Sequence, residues 1–526
     1  MYIQRINRKQ NGKVYTSIIL TRSYRENGKQ KRETLAVLTK WPKHLIAAIE
    51  AGLKNKSPAD FKEFRYTQGK SFGAVFVMKE ICKRLGVNNA LSRTTYGKIA
   101  LLQIMARILN NGSQRAIGNW AKLNAVEELL HMEIPTLDEC YENLSILQDR
   151  QKHIENKIYK FQHKDDKPIN IYLYDVTSSY FEGRKNELSA FGYNRDGKKG
   201  KKQIVIGLLC DATGDPISVE VFKGNTNDLQ TFSSQLQKVK QRFNIKQVVM
   251  IGDKGMIKTA QIDDILNNGF AYITTITKGQ IQSLIKKGVF QLDMFEDKIM
   301  DIQDTKDRYV IRCNPIRKQE IADNRLQRIA TIRQMTVVGA QYLLEHPRAR
   351  VNTQIVKITD KIKRFKLAKA LNVSSDDDRG MALNVDHDEL AGLSQLDGCY
   401  AMKTNLDQCI TARTIHDRYK DLAHVEYAFK NIKTEQLQVR PIYLRREDRT
   451  RAHVFICSLA YKTIKYLRES CKTLDYTLNE IIDNLKAIHY IVYEVNGVEI
   501  KRLPNKLNKA QQQILNVLDM QLPSTV

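Results

Sequence analysis

The sequence predicts an α/β protein: a mixed sheet flanked by helices, with an inserted subdomain, an N-terminal β-hairpin plus helical region and a mostly helical C-terminal part. Three observations carry this expectation. Short, nearly continuous apolar runs of buried-strand type, IYLYDV, QIVIGLL, VVMI and FAYITTI, recur between residues 171 and 276. Helical stretches separate the later runs from one another. N-terminal to this region, from about residue 71, apolar residues recur every three to four positions instead.

In chain order, KQNGK and ENGK place Asn-Gly turns between alternating runs such as VYTSIIL and ETLAVL, so the first forty residues read as β-hairpins. From about Ser71 to Phe161, FGAVFVMKEICKRLGV, IALLQIMARILNNGS and AIGNWAKLNAVEELLHM read as helices. This basic helical region suits DNA but shows no helix-turn-helix signature, and an ordinary helical domain is the alternative. IYLYDV is then a buried strand with Asp175 at its end. The turn DATGDP makes a hairpin of the next two strands. NDLQTFSSQLQKVKQRF is a helix that Asn227 or Asp228 can cap. QVVMIGDKG is a strand with Asp253 just past its end, IKTAQIDDILNNG a helix closed by Gly269, and FAYITTI a fifth strand. Residues from about 280 to 395 interrupt the pattern with DRYVIRCNP, the basic helix KITDKIKRFKLAKAL and the polar loop SSDDDRG. The Asp376-Asp377-Asp378 run in that loop reads as solvated rather than metal-binding. LDGCYAMKTN returns to strand character, HVFICSLAYKTIKYLRE is helical, and IVYEVNGVEIKR is a further Asn-Gly hairpin.

Bulk properties narrow the function. The 526 residues carry 85 Lys and Arg against 58 Asp and Glu, a formal charge of +27. Such an excess calls for a polyanionic partner, most simply nucleic acid. No apolar run reaches transmembrane length, and MYIQRINRKQNGK lacks the apolar core of a signal peptide. Eight cysteines without a CxxC pair support neither a zinc site nor a disulfide framework, and most read as buried free thiols of a cytosolic protein.

The chemistry gathers on acids. Neighbouring strand ends would bring Asp175 and Asp253 together although 78 positions separate them. YKDLAHVEYAFKNIK, taken as one helix turning about 100° per residue, puts Tyr419, Glu426, Lys430 and Lys433 along one edge beside an apolar arc of Val425, Phe429 and Ile432. A surface helix with solvated ion pairs is the plainer reading of that edge alone. Three carboxylates, Asp175, Asp253 and Glu426, repel one another unless a cation intervenes. An all-oxygen set suits Mg²⁺ or Mn²⁺, and two such ions can activate an attacking oxygen and stabilise the leaving oxygen of a phosphodiester. The glycine-containing loop FGYNRDGKKGKKQ adds Arg195, Lys198, Lys199, Lys201 and Lys202 against only Asp196. Residues 418 to 451 hold nine Lys or Arg, Arg440 among them, against five acids. Contacts of this kind position a phosphate backbone without reading its sequence.

Three blocks together, YLYDVTSSYFEG continuing through FGYNRDGKKGKKQIVIGLL and VEVFKGNTND, then VVMIGDKGM, then YKDLAHVEYAFKNIK with HVFICSLAY, resemble the DDE transposases of bacterial insertion sequences. The group it looks closest to has a third acidic motif patterned Y-x2-R-x3-E-x6-K. The resemblance implies an RNase H-like catalytic core, with Asp175, Asp253 and Glu426 as catalytic, metal-binding triad and Tyr419 and Lys433 in the flanking DNA-contacting positions. The Arg position is Leu422 here, and Lys430 on the same face could substitute. Some relatives hold a base with a Trp of the inserted subdomain; Trp41 and Trp120 both lie N-terminal to the core, leaving Tyr272 or Tyr400 as aromatic stand-ins or as core packing.

The implied function is binding of terminal inverted repeats, metal-dependent cleavage at the element ends and transfer of the freed 3′-hydroxyl to target DNA, by a dimer in the synaptic complex of a bacterial cytoplasm. A nuclease of the same fold without strand transfer, and an inactive DNA-binding descendant, are the alternatives. The expected boundaries are 1–65 for the β-hairpin region, 66–165 for a helical, DNA-binding domain, 166–280 and 396–470 for the two parts of the core, 281–395 for the inserted subdomain, and 471–526 for the C-terminal region.

Overall fold

In a computed structural model the chain divides into two compact units, residues 1–73 with 483–516 and 520–526, and residues 74–482 with 517–519. The structure describes residues 1–10, 13–26, 29–54, 64–163, 170–183, 185–193, 195–198, 200–242, 248–304, 307–375, 380–439, 442–495 and 498–526. The three Asn-Gly turns, Lys199, Arg440 and the Asp376–Asp378 run lie outside them.

In the first unit, β1 (Tyr2–Gln10), β2 (Lys13–Glu26) and β3 (Lys29–Val37) form an antiparallel sheet, as the alternating runs predict. β4 (Phe64–Ser71) belongs to a second sheet, completed by strands near the chain's end.

The second unit holds the large mixed sheet. Its helices Thr95–Leu109, Leu137–Gln162 and Glu447–Ser470 pack on one another. Thr94 and Thr136 start the first two by accepting backbone N–H groups, and Glu139 completes a capping box on Thr136. Thr95–Leu109 is buried nearly all round, as a helix apolar on every face must be.

The sheet begins with β5 (Asn170–Tyr180), β6 (Gln203–Asp211) and β7 (Pro216–Lys223), successive antiparallel neighbours. The helix Asp228–Gln237, capped by Asn227, leads to β8 (Val248–Ile251), which runs parallel to β5 on its other side. The helix Thr259–Asn267 ends at Gly269, whose φ of +74° is the left-handed conformation that glycine adopts freely. β9 (Ala271–Thr275) then lies parallel to β8. The order β9-β8-β5-β6-β7, three antiparallel strands extended by two parallel ones, is the RNase H-like sheet. One face packs on Phe232 and Leu236 of the first crossover helix and Ile265 of the second, using Tyr172, Tyr174 and Val176 of β5.

The sheet does not stop at β9. β10 (Met300–Gln303) and β11 (Arg308–Cys313), within the stretch read as inserted, join it through β14 (Cys399–Thr404), giving β10-β11-β14-β9. Between β11 and β14 the chain builds the helices Pro315–Glu345 and Val351–Arg364 and the hairpin β12 (Leu371–Ser375) with β13 (Met381–Val385). These have a separate core of Ile329, Ile332, Ile358, Ile362, Leu367, Leu371 and Val373. Cys313 and Cys399, the residues at which this stretch leaves and returns, are register partners.

In the first unit again, β15 (His489–Val495) pairs with β16 (Val498–Arg502) and with β4. Among the described residues no helix is long and apolar enough to cross a membrane. All eight cysteines are free, and six of them are buried.

Candidate active site

Strand register brings the two aspartates together. β5 and β8 pair in parallel as far as Leu173 and Ile251. Asp175 and Asp253 each stand two residues beyond that last pair. Asp175 is not at the end of its strand, as the apolar run suggested: β5 continues to Tyr180, paired only with β6. What ends at Leu173 is the pairing with β8, so the sheet splits where the two acids emerge. Tyr172, Tyr174 and Val176 enter the core, so alternation turns Leu173, Asp175 and Thr177 to the opposite face. The helix Leu422–Lys430 packs on β5. Asp253 is exposed, and its Oδ1 accepts the N–H groups of Gly255 at 2.8 Å and Met256 at 3.0 Å, which fixes the turn after β8.

Glu426 is carried by that packed helix, whose Val425 and Phe429 are buried together with Ile432 just beyond it. The predicted apolar arc therefore docks as expected, and Glu426 remains exposed. The segment is not one uniform helix, however. A first helix, Ala412–Lys420, ends at Asp421, the second runs to Lys430, and Asn431–Glu435 forms a π-helical turn. The turn departs from the single regular helix that the projection assumed. Lys430 is exposed and pairs with Glu435 at 2.7 Å. Lys433 turns inward instead, donating to Asp196 Oδ1 at 2.6 Å and Thr177 Oγ1 at 3.0 Å.

Electrostatics links the acids. Burial raises Asp175 to about 7; the N–H of Val176, 2.7 Å from its Oδ1, pulls it back, Asp253 pushes it up, Arg195 lowers it and Glu426 raises it. Tyr419 bonds Thr275 at the end of β9 at 3.1 Å. Burial raises its phenol, and the charges of Asp253, Glu426 and Asp175 add to that rise. Tyr419 and the three acids thus share one electrostatic neighbourhood. Among the described residues no group of three or more His, Cys, Asp or Glu side chains is drawn tightly enough together to hold a metal ion. The donor chemistry nevertheless fits a hard divalent cation. The set is all oxygen, and Asp175 is a partly buried carboxylate whose charge two like neighbours disfavour.

The basic loop between β5 and β6 is fastened beside this cluster. Arg195 donates to Val176 O at 2.9 Å and pairs with Asp228 at 2.5 Å, while its own N–H bonds Ser178 Oγ. Asp196 Oδ2 accepts the N–H of Tyr180 at 3.1 Å. Gly197 and Gly200 turn the loop with φ of +68° and +74°. Lys198 is exposed, Lys202 partly exposed, and Lys201 pairs with Glu182 at 2.6 Å. Tyr272 lies in the sheet's core and Tyr400 bonds His416 at 2.6 Å, so Tyr272 is packing. Sequence reasoning passed over Asp196 and Thr177. The one acid in a run of five bases was the available signal.

The fold is that of an RNase H-like protein, with Asp175 and Asp253 at the split between β5 and β8 and Glu426 on the helix packed against β5. The family model described as Transposase DDE domain matches residues 166–462, and that of the IS1634 family transposase N-terminal domain matches residues 3–62. The chain belongs to the DDE transposases of insertion sequences. Among solved structures it is similar to the piggyBac transposase in a synaptic complex with hairpin DNA, at 11% identity and a TM-score of 0.36 over 78% of this chain and 77% of that one. It is also similar to the Mos1 transposase in a paired-end complex with the left transposon end, at 14% identity and a TM-score of 0.15 over 34% of this chain and 58% of that one. No curated protein matches significantly.

Proposed function

We propose that this transposase binds the terminal inverted repeats of its insertion sequence as a dimer, cleaves the element ends and joins them to target DNA, in a metal-dependent cut-and-paste reaction. The observation that supports this reading is the shared electrostatic neighbourhood of Asp175, Asp253, Glu426 and Tyr419 beside a basic loop pinned by Arg195 and Asp196. Asp175, Asp253 and Glu426 would hold Mg²⁺ or Mn²⁺, which when bound activates the attacking oxygen and stabilises the leaving one. Lys198, Lys201, Lys202 and Lys430 contact phosphates and set the strand's path. Tyr419, held by Thr275, flanks the scissile group. Hydrolysis breaks the P–O3′ bond at the element end and leaves a 3′-hydroxyl. That hydroxyl attacks a target phosphorus, and the target's own O3′ departs.

A cleavage and joining assay on DNA bearing the native element ends tests this. The expected products are free 3′-hydroxyl ends and then joined target DNA. Folded protein that binds the ends and yields neither product would overturn it, and cleavage without joining would leave a nuclease.

A further inference from the structure

The second unit contains a cavity of about 570 Å³ between its N-terminal helices and the segment leading into Glu447–Ser470. It lies apart from the acids. Its wall residue Ile442 bridges to Phe181, six residues beyond Asp175 on the same strand line, about 20 Å away at strand rise. The wall is built rather than incidental: the side chain of Asn186 fastens Leu444 O at 2.8 Å and Thr450 Oγ1 at 2.9 Å, and Glu182 N bonds Ile442 O at 3.0 Å.

The lining is positive and aromatic. Arg107, Arg445 and Arg449 contribute, and among the described residues none of the three has a carboxylate within ion-pair distance. Arg107 is 7% exposed, and its one hydrogen bond among the described residues is to Leu437 O, at a long 3.4 Å. A buried guanidinium without a counter-charge is costly. His453 supplies no anion: burial, with Arg107, pushes it down to about 3, so it is neutral, with Nε2–H donating to Val439 O at 3.1 Å. Its Nδ1 and the Nε of Arg449 are buried without a partner. Arg449 stacks on Tyr141 at 5.2 Å, and Tyr443 stands 65% exposed at the rim. Unpaired guanidinium groups ask for a phosphate, and an open phenol ring beside them asks for a planar base. The volume falls within the range of small-molecule sites.

We propose that this cavity binds a mononucleotide unit, a phosphate carried together with a base, supplied either by a DNA strand or by a free nucleotide. The site needs neither the carboxylates nor their chemistry.

The test titrates the full chain with dAMP, with inorganic phosphate, and with a 5′-phosphorylated single strand ending in 2-aminopurine, whose fluorescence falls on stacking. dAMP should bind at least about tenfold more tightly than phosphate, or the 2-aminopurine should be quenched, and Tyr443→Ala should weaken that signal about 5- to 100-fold. Tyr443 is at the rim, so this variant folds, as an unchanged thermal midpoint would verify. Arg449→Gln should weaken binding of the same probe. A signal from the strand alone identifies a nucleotide of DNA as the ligand; a signal from dAMP alone identifies a free nucleotide. Asp175→Asn should leave either signal intact, which separates this site from the cleavage reading. Phosphate binding equal to dAMP with no quenching, or signals indifferent to Tyr443, would overturn the proposal.

Discussion

Lys433 Nζ lies 2.6 Å from Asp196 Oδ1, with the two side chains only 12% and 4% exposed. The contact joins the segment after the Glu426 helix to the basic loop, and Thr177 on β5 completes the bridge. It ties Lys433 to the strand that carries Asp175.

Lys433→Met and Asp196→Asn should each lower stability, by up to about 3–5 kcal/mol, because each removes one partner of a buried ion pair. Combining Lys433→Met with Asp196→Leu should recover part of the loss. Denaturant midpoints of the three variants check this. A Lys433→Met protein as stable as wild type but weaker on DNA would show the lysine facing the substrate.

Lys430 makes the opposite case. Its pair with Glu435 is exposed and screened by solvent, so Lys430→Ala should leave stability nearly unchanged. If it contacts a phosphate, the slope of log affinity against log salt should shrink by about 0.9 on duplex DNA. An unchanged slope places Lys430 off the DNA path.

Asp175→Asn, Asp253→Asn and Glu426→Gln should each reduce cleavage by orders of magnitude while end binding survives, because they remove a ligand and a charge that repels phosphates. Cleavage in wild type should require Mg²⁺ or Mn²⁺ and stop in chelator, and Ca²⁺ should support binding without chemistry. Gel shift and cleavage on the same folded proteins separate the two effects. A variant that still cuts at near the wild-type rate is not in the triad.

Asp175 also sets a pH dependence. Its folded-state value of about 7 lies above the ordinary aspartate value of 3.8, so the native state holds its proton longer than the unfolded chain. In metal-free protein this contribution is fully present below about pH 4 and is lost as pH rises through 7. Asp175→Asn should therefore stabilise the metal-free protein at pH 8 by up to about 4 kcal/mol and by little at pH 4. Thermal midpoints of both proteins across that range in chelator give the comparison. Parallel curves would mean that Asp175 is as comfortable ionised as in water.

Much of this fold was legible because buried strands advertise themselves. IYLYDV, VVMI and FAYITTI are apolar on both faces, and each is a strand. The same criterion ended β5 too early, since Thr177, Ser178 and Ser179 are buried polar residues that the strand holds through backbone pairing with β6 rather than through apolar character. Asp175 and Asp253 nonetheless stand at equivalent positions, each two residues past the last β5–β8 pair, as the expectation of neighbouring strands required. The π-helical turn was not legible. A projection at a fixed angle assumes one hydrogen-bond pattern, and residue types do not announce the change of pattern at Asn431–Glu435. The addition of β10 and β11 to the sheet was hidden for another reason: β14, the strand that links them to β9, lies some ninety residues downstream.

The register pairing of Cys313 with Cys399 has a consequence for how this chain can change over generations. Antiparallel partners sit about 5 Å apart, so the 85 residues between them depart and return through a doorway no wider than a hairpin turn. The doorway is held by the β11–β14 ladder, whatever lies beyond it. Lengthening, trimming or exchanging that cassette leaves the strands on either side in place, and each doubling of a flexible connection costs only about 0.6 kcal/mol in closure entropy. The catalytic sheet can therefore keep its spacing between Asp253 and Glu426 in space while the spacing in sequence drifts freely.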